Sequence, residues 1–363
     1  MLRNLIFLNK TINNISIETS IYTHKCVNFL SKYDFCDKCV NICHKNAINK
    51  DKYAKKIAIN HRLCTNCGLC TTICPTGVFE CKYYKYIDLL NSINEHANYY
   101  NTINLICEKH LQQSTTTKLT EVIKIPCIGI LDYSLLVHIF LYSPKHITIY
   151  SNCGKCENNK SYKFFHILLN EIIDFLCYFN YKCPNIEFND TLTPEKNINK
   201  NLGPRKNPSY LSRRELFQYY KKQLVSTTKN SLTLLKDETN TTKKIKKTQK
   251  NIPINRKIFL RDIKMLASTQ NNILIDKNFS FLRNLRIDVA QCNLCSLCYV
   301  FCPTGALIEK SEKDSKGIFR KAGVTIIPEK CVNCDFCINI CPAKAINYDS
   351  LIEVKNFFYK PID

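Results

Sequence analysis

Eight cysteines near the end of the chain recur in two runs with one spacing, and this repeat constrains the fold more than any other feature. Each run reads C-x2-C-x2-C-x3-C and is followed by proline. The first run contains Cys292, Cys295, Cys298 and Cys302, and the second contains Cys331, Cys334, Cys337 and Cys341. Three thiols two residues apart fit one tight loop, which can surround three corners of a small cluster. The fourth cysteine is expected to open a short helix, because Pro303 or Pro342 suits the first helical position.

This spacing is typical of iron–sulfur ligation in which the fourth cysteine of each run binds the other cluster. It assigns one 4Fe–4S site to Cys292, Cys295, Cys298 and Cys341, and another to Cys302, Cys331, Cys334 and Cys337. Over about residues 287–348 the chain resembles bacterial two-cluster ferredoxins. A pair of structural zinc sites is the alternative. A zinc site needs only four ligands, commonly as two C-x2-C pairs, and the third loop cysteine and the Cys-Pro pairs go beyond that pattern.

Residues 23–85 contain a second ferredoxin-like unit with one incomplete run. Its complete run contains Cys64, Cys67, Cys70 and Cys74, with Pro75 after it. In the other run Cys36, Cys39 and Cys43 hold the last three positions, but Tyr33 stands in the first and His44 replaces proline. In both units the spacer between the runs resembles the family's hairpin, with residues 47–48 facing 57–59 and residues 306–308 facing 324–326.

Crossed ligation in this unit predicts one intact site and one that lacks a ligand. The intact site has Cys43, Cys64, Cys67 and Cys70, and the other has Cys36, Cys39 and Cys74. We predict that Cys26 completes the second site, since it lies ten residues before Cys36 and the intervening loop can return to the open corner. A three-iron cluster, a non-protein ligand and an empty site are the alternatives.

Residues 98–190 alternate short apolar runs with helical stretches, which predicts a small parallel α/β domain. The strands are expected at 104–107, 122–125 and 146–150, and the helices near 135–140 and 162–178. Four cysteines then fall just past strand ends, where open α/β sheets bind ligands. They are Cys107, Cys127, Cys153 and Cys156.

The strings ICEKH, IPCIG and SNCGKCEN in this region resemble the delta subunit of methyl-viologen-reducing hydrogenases. That resemblance implies a 2Fe–2S cluster on the four cysteines, although His110 stands near the place where the family tends to have a further cysteine. Two alternatives remain: a thioredoxin-type dithiol at Cys153 and Cys156, or ordinary buried cysteines. Cys81, Cys177 and Cys183 are expected to be plain core or surface residues.

Charge is concentrated in one part of the chain. The formal net charge is +22, and residues 205–268 hold 17 Lys and Arg against 4 acidic residues. We interpret residues 191–286 as a basic linker with one helix, which begins at a capping box, Ser212 to Glu215. Such a segment can dock on an acidic redox partner. A solvated flexible linker, or the Lys-rich codon usage of an AT-rich genome, would also produce it.

The cysteines also indicate a compartment. A disulfide scaffold belongs to short secreted chains, whereas this chain has 363 residues and 23 Cys, mostly in metal-type runs. The thiols must stay reduced until clusters are built, which favours a cytoplasmic location, although Arg3 and Lys10 before the first acid, Glu18, would also suit an organelle transit peptide. No uncharged stretch is long enough to span a bilayer.

The predicted fold class is α+β, with two ferredoxin-like dicluster units, 23–85 and 287–350, flanking the small α/β parallel-sheet domain at 98–190. Residues 1–22 and 351–363 are expected to be tails. The predicted function is that of a polyferredoxin with up to four 4Fe–4S clusters and one 2Fe–2S cluster, which relays single electrons between a redox enzyme and an acceptor.

Two other functions are weighed against that prediction. The chain would serve as the electron-input subunit of a hydrogenase, formate dehydrogenase or disulfide reductase complex, with dithiol chemistry in the middle domain. Alternatively it would be an iron–sulfur regulator that binds nucleic acid, which four clusters disfavour. Nothing in the sequence resembles a substrate site, so an electron carrier is expected rather than an enzyme, and no nucleic-acid partner is expected.

Overall fold

The fold is known from a computed structural model, which describes residues 19–32, 34–81, 84–100, 102–113, 122–142, 146–190, 250–268, 273–313, 315 and 319–358. The described residues all fall within one compact unit. The helix predicted from Ser212 lies outside the described residues, as does most of the basic linker.

The N-terminal ferredoxin-like unit is built from two antiparallel strand pairs and two one-turn helices. Its elements are β1 (Thr19–Ile21), α1 (Lys38–Ile42), β2 (Ile48–Asp51), β3 (Lys56–Ile59), α2 (Leu69–Ile73) and β4 (Phe79–Cys81). In the predicted hairpin β2 pairs with β3, with Ile48 opposite Ile59. β1 pairs with β4, with Thr19 opposite Cys81. Three residues of the segment interpreted as a tail therefore belong to this unit.

The middle domain is the parallel α/β domain that the sequence predicts. Its elements are α3 (Tyr86–Tyr99), β5 (Thr102–Cys107), α4 (Glu108–Gln113), β6 (Ile123–Ile125), α5 (Tyr133–Tyr142), β7 (His146–Tyr150), α6 (Asn159–Cys177) and β8 (Asn185–Asn189). The sheet order is β6-β5-β7-β8, and every pairing is parallel. Ile103, Leu105 and Ile147 are each at most 2% exposed, as expected for strands covered on both faces.

The C-terminal ferredoxin-like unit repeats the plan of the first. The elements from residue 250 onward are α7 (Ile254–Ala267), β9 (Leu274–Ile275), β10 (Asn284–Ile287), α8 (Leu297–Val300), β11 (Leu307–Lys313), β12 (Phe319–Ile326), α9 (Phe336–Ile340), β13 (Ile346–Asp349), β14 (Ile352–Glu353) and α10 (Val354–Phe358). The predicted hairpin is present as β11–β12, with Leu307 opposite Ile326, and β10 pairs with β13.

Helix α7 packs into the middle domain although its residues fall in the segment interpreted as a linker. Phe259 and Ile263 are fully buried in the same apolar core as the parallel sheet. The segment 351–363 was predicted to be a C-terminal tail, but its residues Ile352 and Phe357 also join this core and are 0% and 3% exposed. Within the described part of the chain, no helix combines the length and the apolar content that crossing a bilayer requires.

Candidate iron–sulfur sites

Each complete cysteine loop passes twice through left-handed backbone. The φ angles lie between 53° and 76° at Asn66, Gly68, Leu294, Ser296, Asn333 and Asp335. This conformation costs an L-residue about 1–2 kcal/mol, so five non-glycine residues hold it against their own preference. Such strain indicates a loop whose shape is required by its site. The incomplete run differs, because Asp37 has a φ of −118°.

The prediction that the fourth cysteine opens a helix is wrong. In every run the short helix lies before the fourth cysteine, and Cys74 and Cys341 directly follow the last residues of α2 and α9. Proline explains this order, because it lacks an N–H and drives the residue before it out of the α conformation. Cys74 and Cys341 accordingly have extended ψ values of 109° and 112°. Cys43 also has a ψ of 109° without a following proline.

All four fourth cysteines lead into the same turn. The residue three positions later has a positive φ, between 50° and 70°, and these residues are Asn46, Gly77, Gly305 and Lys344. The amide N–H one position further donates to the cysteine sulfur with an N···Sγ distance of 3.2–3.4 Å; the pairs are Ala47 to Cys43, Val78 to Cys74, Ala306 to Cys302 and Ala345 to Cys341. Such donors orient a ligand thiolate and tune a bound cluster. The incomplete run also has both the positive-φ residue and the amide donor to sulfur.

Two buried hydroxyls add to these turns. In the repeated string Cys-Pro-Thr-Gly, Thr76 Oγ1 lies 3.7 Å from Cys74 Sγ, and Thr304 Oγ1 lies 3.8 Å from Cys302 Sγ. Both threonines are at most 7% exposed. Once the sulfur is a thiolate, the hydroxyl can only donate to it. The cysteine spacing does not identify these threonines, but the repetition of the string Cys-Pro-Thr-Gly is a sequence signal for them.

The cysteines fall into four groups, which we name sites A to D. Site A has Cys26, Cys36, Cys39 and Cys74, and site B has Cys43, Cys64, Cys67 and Cys70. Site C has Cys302, Cys331, Cys334 and Cys337, and site D has Cys292, Cys295, Cys298 and Cys341. All four cysteines of site C line one small cavity. In site D, burial raises the pKa of Cys298 to about 11, and repulsion from Cys295, Cys292 and Cys341 adds to the rise.

The four cysteines of site B also lie close to one another. Burial raises the pKa of Cys70 well above its ordinary value, and Cys67, Cys64 and Cys43 lie close enough to raise it further. Among the described residues, no three His, Cys, Asp or Glu side chains surround a point closely enough to bind a single metal ion. A 4Fe–4S cluster is a larger body bound by one thiolate at each corner, so its ligands do not need to converge in that way.

Cys26 lies beside the incomplete run. It is 8% exposed, and its pKa is raised to about 11, first by burial and further by Cys74 and Cys36. The buried Asn28 fixes this approach: its Nδ2 donates to the Cys36 carbonyl at 2.7 Å, and its Oδ1 accepts from the Cys36 amide at 3.0 Å. Asn28 thus ties the segment that carries Cys26 to the loop that carries Cys36, a role that the sequence pattern did not suggest.

The four middle-domain cysteines meet at the carboxyl edge of the parallel sheet. Cys107 ends β5, Cys127 follows β6, and a 3₁₀ turn after β7, Cys153–Lys155, leads to Cys156. Burial raises the pKa of Cys153 to about 11, with repulsion from Cys107 and Cys156 added. Burial raises the pKa of Cys127 to about 12, and Cys107 lies close enough to contribute. Asn158 Nδ2 lies 3.8 Å from Cys127 Sγ as a donor.

This edge of the sheet touches site B directly. A Cβ at Gly129 would lie 2.8 Å from the Cys67 carbonyl oxygen, and one at Gly68 would lie 2.9 Å from Ile130 Cβ. Thr72 Oγ1 donates to the Gly129 carbonyl at 2.7 Å. Only glycine permits backbones to approach this closely, so both glycines are required by the contact between the middle domain and the site B loop.

A buried arginine lies beside site C. Arg256 is 1% exposed and donates to the carbonyls of Phe281, Pro328 and Glu329 at 3.2–3.3 Å. Burial lowers the pKa of Arg256, and its charge counteracts the burial that raises the pKa of Cys331. Arg256 falls within the basic segment predicted to dock on a partner, but its surroundings make it an internal residue.

Residues 34–78 and 291–345 match the family described as the 4Fe–4S dicluster domain. The chain therefore carries two 4Fe–4S dicluster domains, one on each side of the parallel-sheet domain, and these domains bind 4Fe–4S clusters. Clusters of this kind exchange single electrons at potentials that their surroundings set. The two matches cover less than half of the chain.

One relative is the pyruvate synthase subunit PorD of Methanocaldococcus jannaschii. It is 37% identical over 60 residues, which are 16% of this chain and 59% of that protein. The matched segment thus spans less than two thirds of the relative. The similarity and the two domains together define this chain as an iron–sulfur protein of the electron-transfer class.

Proposed function

We propose that the chain is a polyferredoxin whose sites A to D each hold one 4Fe–4S cluster, and that it relays single electrons between a redox enzyme and an acceptor. The clusters supply one-electron chemistry when they are bound. The chain's own residues hold the ligand loops, exclude water and donate hydrogen bonds to the sulfurs.

The observation that carries this proposal is the turn shared by the four fourth cysteines. The same positive-φ residue and the same amide donor to sulfur occur four times, at N···Sγ distances of 3.2–3.4 Å. One of the four runs lacks both its first cysteine and its proline. A turn that persists in that run supports ligation by all four.

The partner is proposed to be an oxidoreductase complex. A relative that bears the name of a pyruvate synthase subunit supports a role as an electron-transfer subunit. Site D is suited to contact with a partner, because Cys295 is exposed and the valines on either side of its loop in the sequence, Val289 and Val300, are 79% and 52% exposed. An acidic partner would complement the basic charge of the chain. An electron-input role for a hydrogenase, formate dehydrogenase or disulfide reductase belongs to the same proposal.

Metal analysis of anaerobically purified protein tests the cluster content. Four clusters correspond to about 16 iron atoms and as many acid-labile sulfides per chain, and low-temperature EPR of the reduced protein should show interacting 4Fe–4S signals. A protein that saturates with zinc and contains no labile sulfide would refute the proposal.

Cys26 is proposed as the fourth ligand of site A. We expect Cys26→Ala to lose about four iron atoms, or to convert one cluster into a three-iron form with its own EPR signal. The matched control is Cys183→Ala in the middle domain, since burial also raises the pKa of Cys183 to about 11 and this residue lies outside the ligand runs. Full iron and an unchanged spectrum in the Cys26 variant would remove Cys26 from the site.

A second proposal concerns Cys107, Cys127, Cys153 and Cys156. Their meeting at one sheet edge, in contact with the site B loop, favours a 2Fe–2S cluster there. A dithiol formed by Cys153 and Cys156 is the competing role. Its oxidation forms one S–S bond, releases the two thiol protons to water, and passes two electrons one at a time to a bound cluster. We expect Cys107→Ser to lose about two iron atoms if a cluster is present. Equal iron in that variant, together with a disulfide between Cys153 and Cys156 in oxidised protein, would favour the dithiol.

A further inference from the structure

The two dicluster domains touch through their ligand loops. One apolar cluster combines Val27, Leu30, Phe35 and Cys36 of the first domain with Leu297, Cys334, Phe336 and Ile340 of the second. We name this cluster the Phe35–Phe336 junction. The two phenyl rings lie 5.6 Å apart between centroids. A site A cysteine and a site C cysteine thus share one apolar cluster.

A polar contact borders the junction and is made by the same loops. Lys38 Nζ lies 3.2 Å from Asp335 Oδ2 and 3.4 Å from the Asn333 carbonyl oxygen. Lys38 stands between Cys36 and Cys39, while Asn333 and Asp335 flank Cys334. The contact therefore aligns the loop of site A with the loop of site C.

The centre of the junction is buried, while Phe35 and Leu30 at its rim are half-buried. Phe336 is 0% exposed, Val27 is 3% and Ile340 is 8% exposed. The cysteines in the cluster belong to sites A and C. The site B loop contacts Gly129 of the middle domain, and site D contributes Leu297 but no cysteine, with its Cys295 exposed. Of the four sites, A and C are therefore the pair that meets across the domain boundary.

We propose that the Phe35–Phe336 junction is the route by which electrons cross between the two dicluster domains. Sites B, A, C and D then form one linear chain of redox centres in that order, which we call the file. The proposal rests on the proposed function, in that sites A and C must hold clusters. One electron crosses at a time: the site on the donating side is oxidised by one electron and the site on the receiving side is reduced by one. The source is a one-electron donor protein at one end of the file, and the sink is an acceptor protein at the other end.

This arrangement gives Phe35 and Phe336 a positioning role rather than a catalytic one. Packed side chains hold the two loops at a fixed separation. The ion pair of Lys38 with Asp335 is partly exposed, at 37% and 28%, and an exposed pair contributes little to stability. Its contribution here is the relative placement of the two loops.

Two multiple variants test the proposed order by EPR. The inner-pair variant keeps sites A and C and carries Cys64→Ser, Cys67→Ser, Cys292→Ser and Cys295→Ser. The outer-pair variant keeps sites B and D and carries Cys26→Ser, Cys39→Ser, Cys331→Ser and Cys337→Ser. Each should retain about 8 iron atoms. We expect spin–spin splitting or broadening in the fully reduced inner-pair variant and its loss in the outer-pair variant. Iron retained without splitting in the inner pair, or equal splitting in both, would overturn the junction, whereas an iron-free chain would count against the proposed function.

A second measurement does not depend on the clusters. A zero-length carbodiimide should join the Lys38 amine to the Asp335 carboxylate in the wild-type full chain, and mass spectrometry should find the linked peptides. Lys38→Arg should lose this product, because a guanidinium does not form a stable amide. In the inner-pair variant, adding Lys38→Glu places two carboxylates together and should reduce the EPR splitting between sites A and C. Adding Lys56→Glu on β3, which makes the same charge change, should leave that splitting unchanged. A wild-type chain without the 38–335 link would refute the junction even if the multiple variants failed to assemble.

Discussion

At the scale of single residues, a hydrogen bond to a ligand sulfur can change the midpoint potential of the bound cluster. Thr304 Oγ1 lies 3.8 Å from Cys302 Sγ and is 4% exposed. A donor stabilises the more negative reduced state, so its removal should make reduction harder. We expect Thr304→Val to lower the midpoint potential assigned to site C by tens of millivolts, on a scale where about 59 mV is a tenfold change for one electron.

The matched control for this prediction is Thr304→Ser, which keeps the hydroxyl and should keep the potential. EPR-monitored redox titration provides the measurement, and iron content should be equal in all three proteins. A Val variant that titrates with the wild-type potential would show that the hydroxyl does not act on site C.

Buried thiols should make the apo-protein sensitive to alkali. The pKa values of Cys26 and Cys298 are raised to about 11, in both cases first by burial, whereas an unfolded cysteine has a pKa of about 8.5. The folded apo-protein therefore retains protons that the unfolded chain has lost, and stability falls as pH rises from about 8.5 towards 11. In the cluster-loaded protein these sulfurs are already thiolates, so this loss should be missing.

Urea unfolding of apo and loaded protein at pH 8 and pH 10.5 checks this prediction. The apo-protein should lose more of its free energy of unfolding than the loaded protein over that interval. Lysine deprotonation affects both forms and cancels in the comparison. An equal decrease in both forms would show that thiol burial does not control the pH dependence.

At the scale of elements, helix α7 is held to the middle domain by a buried polar group. Asp262 is 0% exposed, and its Oδ2 lies 2.8 Å from His138 Nδ1 on α5, while its Oδ1 pairs with Arg261 at 2.7 Å. His138 Nε2 in turn lies 2.7 Å from Asn94 Oδ1 on α3. Removing one partner from such a group leaves the other buried without compensation, which typically costs about 3–5 kcal/mol.

We therefore expect Asp262→Ala to lower the free energy of unfolding of the apo-protein by about 3 kcal/mol or more. The control is Asp174→Ala, which removes an exposed ion pair with Lys277 and should cost far less, because solvent screens exposed charges. Urea denaturation followed by circular dichroism gives both values. Similar small losses in the two variants would mean that the His138–Asp262 contact does not anchor α7.

These elements also show what a sequence can and cannot predict. The apolar runs at 104–107 and 146–150 identified β5 and β7 because both faces of a parallel strand are buried. Helix α7 was missed because its charged residues suggest a linker, and burial of Arg256 and Asp262 depends on partners distant in sequence. The wrong helix position at the fourth cysteines came from applying the first-turn preference of proline where its effect on the preceding residue prevails.

The candidate sites divide in a similar way. Spacing alone grouped the cysteines that we propose as ligands of sites B, C and D, because each group consists of one local loop and one crossed cysteine. The approach of Cys26 to site A depends on Asn28, whose amide hydrogen bonds no spacing rule contains. The same applies to the contact of Gly129 with the Cys67 loop, which joins two domains.

At the scale of the whole molecule, the charge is divided between internal and external roles. Within 250–268, Arg256 is buried, Lys264 pairs with Glu329 at 2.6 Å, and Lys250 donates to the Tyr299 carbonyl at 2.6 Å. These cations stabilise the fold, so the docking hypothesis depends on residues 205–249. That segment lies outside the described residues, and its sequence still holds most of the basic charge counted there.

The last prediction concerns this basic segment. Replacing Lys243, Lys244, Lys246 and Lys247 with Gln should slow electron transfer from a small acidic plant-type ferredoxin at low salt, because clustered cations raise association rates with a negative surface. The difference should vanish in 1 M salt, where the screening length is about 3 Å. Stopped-flow absorbance measures the rate, and iron content should not change.

The control variant replaces four scattered exposed lysines with Gln, so that it loses the same net charge; these are Lys55, Lys182, Lys313 and Lys355. A charge cluster that steers association must act more strongly than the same charge dispersed over the surface. Equal slowing in both variants would therefore assign the effect to net charge. No slowing in either variant would mean that residues 205–249 have no docking role.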